Sequence, residues 1–291
     1  MNIRHLAILS IAFILGACNA ERITYQGDNF VMFASDSHTF GVLDENEWFE
    51  IPISATRTSS KDRTIGVEVL IAQSSAIEDM HYVLESHSVT IKAGELTTAA
   101  RIKGIPEAIT PNAPIEVRLN LVLDSEDINT EYGTETSVVL QRCCPFDINN
   151  FSGYAVLTST WCMQYMNVES RLVHTHADPN QEGVIVIEDM FYEGYDIRIR
   201  LENEDRLTPI ATLCGPQVLG STGEAFGTIY GNGKLMVDAT TGSLSYYSTC
   251  ENFVLLYTTM YVEEVGTVGN YVNIFEWISD EEAERIMREG F

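Results

Sequence analysis

Two histidines and an aspartate lie close together in the segment His174-Thr175-His176-Ala177-Asp178 and offer side chains of the kinds that bind metal ions. Side chains two positions apart on a β-strand point to the same face, so His174 and His176 would project together. Asp178 could join them from the following turn, which would give three ligands that zinc accepts. Histidine is also ordinary at an exposed strand end, and the sequence identifies neither the base nor the charge-stabilising group that a hydrolase needs. We therefore assign no metal, no cofactor and no catalytic residue.

Aromatic side chains offer a second kind of chemistry, which is the binding of sugars. Exposed rings can stack on the apolar faces of sugars, as they do on other recognition surfaces. Tryptophan and tyrosine are also favoured in strands, where they pack into the core. The candidate ring-bearing residues for a glycan-binding surface are Trp161, Tyr165, Tyr246 and Tyr247.

The first eighteen residues have the parts of a secretory signal: a charged start, an apolar run from Leu6 to Leu15, and small residues before Cys18. The run is too short to span a bilayer, which needs about 20 apolar residues. The sequence Leu15-Gly16-Ala17-Cys18 resembles the bacterial lipobox. That resemblance implies cleavage before Cys18, acylation of its thiol, and a lipid that anchors the chain in a membrane. Asn19 stands where an aspartate commonly retains lipoproteins at the inner membrane, so we expect the outer membrane and leave its facing open.

The charge of the chain excludes one class of partner. The sequence has 42 acidic and 17 basic side chains, for a net charge of −25. Binding to nucleic acid needs a basic surface that releases counterions, and no cluster of Lys or Arg is present. We expect no nucleic-acid partner, and the acyl chains must supply the affinity for the membrane.

The apolar runs are short, alternating and rich in Val, Ile, Thr and Tyr, which is typical of an all-β protein. We expect a signal peptide over residues 1–17, a lipidated tether over 18–22, and an Ig-like β-sandwich over 23–142. A second all-β domain follows over 147–291, as an antiparallel barrel or a sandwich, with a C-terminal helix over 279–289. In that domain we expect a strand at Phe226–Tyr230 and a hairpin turn at Gly231-Asn232-Gly233.

The first domain resembles the Calx-β and related Ig-like modules of bacterial surface proteins. The resemblance rests on Val31–Phe33, Ile65–Val69, His81-Tyr82, Val89–Glu95 and Ile115–Leu123. Calcium binding in that family depends on paired acids, where this chain has Pro106-Glu107-Ala108-Ile109-Thr110-Pro111-Asn112. One acid between two prolines is a poor site for a cation that takes six to eight oxygen ligands, so we do not carry calcium binding over. The two-domain arrangement also resembles the Bacteroidota surface lipoproteins of unknown function.

Five cysteines remain once Cys18 is assigned to the lipid: Cys143, Cys144, Cys162, Cys214 and Cys250. An exported protein can form disulfides, but an odd number leaves at least one thiol unpaired or paired between chains. The connectivity stays open, and a bond from Cys143 or Cys144 to Cys162 is one of the alternatives.

Three functions compete. The first is a non-catalytic, lipid-anchored envelope protein that binds or displays an extracellular polymer such as a glycan. The second is a structural or assembly component of the outer membrane, in contact with other envelope proteins. The third is a metal-dependent hydrolase that uses His174 and His176. We rank them in this order, because two tandem β-domains on a lipid tether describe a display scaffold, although fold alone does not define function.

Overall fold

A computed structural model describes residue 25 and residues 27–123 and 133–291. The signal peptide, the tether and Cys18 lie outside the described residues. The predicted all-β class is confirmed, since strands dominate the residues that the structure describes and the helices among them are few and short. The division of the chain into domains at 142–147 remains a prediction.

Within the described residues, the N-terminal part contains nine strands in two sheets. Their bounds are β1 Val31–Phe33, β2 Ser37–Val42, β3 Phe49–Ala55, β4 Arg63–Val69, β5 Tyr82–Leu84, β6 Ser88–Ile91, β7 Thr97–Gly104, β8 Ile115–Val122 and β9 Glu135–Arg142. One sheet has the order β1-β3-β7-β5 and the other has the order β2-β9-β8-β4-β6. Strand β8 shows why two sheets form: Val117, Leu119 and Leu121 are buried on one face, while the residues between them are partly exposed.

The C-terminal part contains ten further strands and two helices. Their bounds are β10 Gly153–Ser159, β11 Ser170–Ala177, β12 Val184–Glu188, β13 Ile197–Glu202, β14 Ile210–Leu213, β15 Gln217–Ser221, α1 Thr222–Phe226, β16 Lys234–Ala239, β17 Tyr246–Ser248, β18 Phe253–Val262, β19 Gly266–Trp277 and α2 Asp280–Glu289. Across the described stretches of both parts, the other helical segments are short 3₁₀ turns and one π-helical turn, Cys162–Met166.

The pairing of these strands closes a barrel. The second part is therefore a barrel and not the sandwich that the sequence also allowed. The ring runs β10-β11-β12-β13-β14-β17-β18-β19, and β19 pairs again with β10. Strand β16, with β15 beyond it, pairs with the same edge of β18 as β17 does. A closed ring leaves few unpaired edges. Its interior is filled by packed side chains that include Phe151, Trp161, Leu157 and Phe275.

The predicted strand at Phe226–Tyr230 is wrong. Ser221 caps helix α1 instead: its Oγ accepts a hydrogen bond from the Glu224 amide and donates one to the Glu224 carboxylate, and Gly227 ends the helix with φ of 69°. A serine followed three residues later by glutamate, and then by glycine, is a helix start and stop signal. It outweighs the apolar alternation here. The segment Gly231-Asn232-Gly233 therefore connects the residues after α1 to β16. Strand β16 pairs with β15, so the predicted hairpin has α1 within its connection.

The predicted C-terminal helix is confirmed. Helix α2 begins after Ser279, whose Oγ accepts a hydrogen bond from the Glu282 amide at 3.2 Å. Ala283 and Ile286 are buried, whereas Met287 is exposed. Within the described part of the chain, no helix combines the length and the apolar character that crossing a bilayer requires.

Candidate functional site

His174 and His176 lie on the outer face of the barrel and share one carboxylate partner. His174 pairs in register with Glu188 of β12, and His176 follows two positions along β11 on the same face. The His174 Nδ1 atom lies 3.1 Å from Glu188 Oε2, and the His176 Nδ1 atom lies 2.9 Å from Glu188 Oε1. The three side chains are each about two-fifths exposed. Two imidazoles and a carboxylate therefore converge at a solvent-accessible position.

Asp178 does not join this group, which corrects the ligand set expected from the sequence. Its carboxylate accepts hydrogen bonds from the Asn180 amide at 2.9 Å and from Arg198 Nε at 3.4 Å. The Asn180 hydrogen bonds and the Arg198 guanidinium hold the pKa of Asp178 below its usual value. Glu188 takes the place that was expected for Asp178. The sequence signal for Glu188 was the hairpin that brings β12 back alongside β11.

Two of the four candidate aromatic residues are core residues. Trp161 is fully buried, with its ring stacked on that of Tyr165 at 4.1 Å. Tyr247 is also buried, and its hydroxyl donates a hydrogen bond to the Glu202 carbonyl. Burial, with Glu202 adding to it, raises the pKa of Tyr247 to about 12. Tyr165 is half-buried against the same core. The four rings consequently form no common surface.

Tyr246 is the exposed member of the four. Successive strand residues point to opposite faces, so the strand that buries Tyr247 turns Tyr246 outward, with 42% of its surface accessible. Its ring meets that of Phe253 edge-to-face, with centroids 5.9 Å apart. This pair lies at a cleft of about 200 Å³ between the two parts of the chain. The other side of the cleft includes Asn112, Gln141 and Arg142.

Contacts across the two parts fix the walls of this cleft. A disulfide joins Cys144, after β9, to Cys250, between β17 and β18, with Cα atoms 5.1 Å apart. Arg206 Nη1 donates to Glu47 Oε2 at 2.6 Å and to the Gly41 carbonyl at 3.3 Å. The cleft is therefore bounded by tethered segments of both parts.

The observed disulfide replaces the alternative bond to Cys162. Cys162 is a buried free thiol at the start of the π-helical turn, and Cys143 and Cys214 are also free. Desolvation raises the pKa of all three thiols, and a raised pKa leaves little reactive thiolate at neutral pH.

A larger groove, of about 860 Å³, lies on the N-terminal part and was not expected from the sequence. Its lining is mainly apolar and includes Val69, Ile71, Ile77 and Val122. Ile71 is 82% exposed because strand β4 ends at Val69 and a 3₁₀ turn follows.

The chain is therefore an all-β protein of two parts. It has a cleft between these parts and a histidine-carboxylate group on the outer face of its barrel. The chain belongs to the family described as domain of unknown function DUF4984, whose model matches residues 131–289. A comparison with curated proteins gives no match.

Solved structures with similar folds include the Calx-β class and a protein from Bacteroides. The apo Calx CBD1 domain has 15% identity and a TM-score of 0.34, and the match covers 40% of this chain and 98% of that one. CBD12 from CALX1.2 has 10% identity and a TM-score of 0.39, with 89% and 87% covered. A Bacteroides ovatus protein, provisionally described as carbohydrate binding, has 13% identity and a TM-score of 0.33, with 84% and 67% covered. At these TM-scores the likenesses carry no conclusion about function.

Proposed function

We propose that the chain is a non-catalytic, lipid-anchored protein of the cell envelope that binds a neutral glycan in the cleft between its two parts. The observation that carries this proposal is the exposed ring of Tyr246 in the lining of a cleft that has both polar and apolar residues. The lipid anchor at Cys18 and the outer-membrane location come from the lipobox resemblance.

The cleft offers both kinds of contact that a sugar needs. A sugar ring presents an apolar face that an exposed tyrosine ring can cover, and Tyr246 is held in place by its edge contact with Phe253. The hydroxyls of the same sugar need hydrogen-bonding partners, and the side chains of Asn112, Gln141 and Arg142 supply donors and acceptors at the opposite wall. Ligand sites occur preferentially at such domain boundaries.

Size and charge narrow the ligand class. The volume of about 200 Å³ is below the roughly 300–1,000 Å³ of sites for drug-sized ligands, so the cleft suits a sugar unit at a chain end. The net charge of −25 disfavours an anionic polymer through long-range repulsion, and Arg206, one of the two basic residues in the lining, is already paired with Glu47. A neutral glycan is therefore the expected ligand.

The test uses residues 18–291 with Cys18→Ser and the disulfide intact, screened on a glycan array and then titrated with the best ligand. Tyr246→Ala is expected to weaken binding about two- to tenfold, in line with the roughly 0.5–1.5 kcal/mol of a ring contact. Tyr230→Ala is the matched control, because Tyr230 is 47% exposed but lies away from the cleft. Silence across the array, or equal losses in both variants, would refute the proposal.

A second candidate function, an assembly component of the envelope, is favoured by the apolar groove. Exposed Ile71, Ile77 and Val122 surround it, and contiguous apolar surface of this kind marks protein contact sites. Under this alternative, a photo-crosslinking residue at Ile71 in cells would give one defined protein adduct, and one at Tyr230 would give none.

A further inference from the structure

We propose that His174, His176 and Glu188 form a binding site for a first-row divalent transition-metal ion such as Zn²⁺, Ni²⁺ or Cu²⁺. This inference is independent of the proposed glycan cleft, because the three residues lie on β11 and β12 and none of them lines that cleft. The ion would join two neighbouring strands of the barrel on their outer face.

The spacing of the three groups fits one ion. Ligand atoms at about 2.1 Å from a tetrahedral zinc lie about 3.4 Å from one another. The two Nδ1 atoms lie 3.1 and 2.9 Å from the two oxygens of Glu188, and one ligand atom from each of the three residues can be chosen so that all lie within 4.8 Å. Small side-chain rotations would therefore bring all three onto a common centre.

The backbone beneath the group is already fixed, so little order has to be gained on binding. Thr175, between the two histidines, is fully buried, and its Oγ1 donates to the Phe151 carbonyl at 2.9 Å. The same Oγ1 accepts a hydrogen bond from Trp277 Nε1 at 2.9 Å. Strand β11 is also paired on both sides, with β10 and β12. Ligands on such paired strands are more precisely held than ligands on loops.

The charges around the three residues favour the binding of a cation. Arg198 of β13, a basic side chain two strands away on this face, is paired with Asp178, which reduces its repulsion of an incoming ion. The Tyr154 ring of β10 lies edge-on to His174, with centroids 5.1 Å apart, and flanks one side of the group. The overall acidity of the protein raises the local concentration of cations.

The chemistry of the ligands selects the class of ion. Imidazole suits Zn²⁺, Cu²⁺ and Ni²⁺, whereas Mg²⁺ and Ca²⁺ prefer all-oxygen sites. Three protein ligands with two-fifths of their surface exposed leave at least one coordination position to water or to another ligand.

The experiment measures Zn²⁺ and Ni²⁺ binding by calorimetry and by competition with a chromophoric chelator. It uses residues 18–291 carrying Cys18→Ser and Cys214→Ser, because the half-buried Cys214 thiol can bind the same ions. We expect one ion per chain with low-micromolar affinity. Loss of an outer-shell partner costs about 10–100-fold in affinity, so loss of both histidines in His174→Ala/His176→Ala is expected to exceed about 100-fold. Glu188→Gln keeps the shape of the side chain and removes its charge. Its affinity is expected to lie between those of the parent protein and the double-histidine variant.

The matched control is His87→Ala. His87 forms a similar pair with Glu78, with Nε2 and Oε1 3.0 Å apart, but within the described residues it belongs to no group of three potential metal ligands, so this change is expected to leave the affinity unchanged. A circular-dichroism melt establishes that each variant is folded. The Co²⁺-loaded protein should show visible d–d absorption that the double-histidine variant lacks. No binding by the parent protein, or equal binding by the parent and the folded double variant, overturns the proposal; a failed glycan screen does not bear on it.

Discussion

Loss of the Cys144–Cys250 disulfide is expected to destabilise the barrel strongly. The two cysteines are 106 residues apart, and the loop between them contains all the strands from β10 to β17. In the chain-entropy description, a cross-link that closes a loop of about this length stabilises the folded state by about 4.7 kcal/mol, because it restricts the unfolded chain. Measured values are usually smaller, so for Cys144→Ser/Cys250→Ser we expect a loss of about 2–4 kcal/mol.

The assay is urea unfolding followed by tryptophan fluorescence. Two of the three tryptophans, Trp161 and Trp277, belong to the barrel, so the signal reports mainly on that part. The double variant should have a lower midpoint and a larger m value, since a chain without the cross-link exposes more surface when unfolded. Cys214→Ser, which removes a free thiol, is the control and should change stability by less than about 0.5 kcal/mol. A double variant whose midpoint matches this control would refute the reasoning.

Three further predictions concern the anchor, the barrel core and the turn after β11. Cys18→Ser is expected to abolish acylation and release the chain from membranes, as read by intact-mass spectrometry and fractionation. Asn273→Ala is expected to cost about 2–3 kcal/mol in urea unfolding, because its buried carboxamide makes three hydrogen bonds whose partners would be left unsatisfied. Hydrogen bonds from the Asn180 amide and Arg198 lower the pKa of Asp178, so its carboxylate stabilises the fold above the unfolded pKa near 3.8 and loses that effect as the pH falls through the folded pKa. Asp178→Asn should therefore lower the Tm at pH 7 but not in strong acid.

Each of these predictions has a result that contradicts it. An unmodified thiol at Cys18 in the native protein would remove the anchor. A cost for Asn273→Ala no greater than that for Asn270→Ala, an exposed asparagine of the same strand, would show that the buried network contributes little. A difference in Tm between Asp178→Asn and the parent that is the same at every pH would exclude the titration of this carboxyl as its cause.

Local signals predicted the parts of the fold that depend on neighbours in sequence. Period-two alternation predicted β8 with its buried Val117, Leu119 and Leu121, and the Ser279 to Glu282 spacing predicted the start of α2. The edge strand β2, Ser37–Val42, was missed because it is held by parallel pairing with β9, about a hundred residues away, which no local pattern shows. The strand expected at Phe226–Tyr230 failed because capping signals nearby were stronger than the apolar pattern.

In the candidate sites, too, the sequence predicted the local arrangement and the tertiary structure decided which residues meet. The sequence placed His174 and His176 on one face, since strand geometry has a fixed period, but the choice of Glu188 over Asp178 depended on the register between β11 and β12. The sequence also offered four aromatic residues without separating them. Packing then buried Trp161 and Tyr247 and left Tyr246 outside.

By itself, the sequence determined the strand class, the acidic surface and the lipobox-like start, because composition and short-range spacing carry these properties. Only the tertiary structure decided the closure of the barrel, the Cys144–Cys250 pairing and the partner of the two histidines. These features bring together residues that are far apart in the chain, and which of them meet is fixed by strand register and by packing of the core.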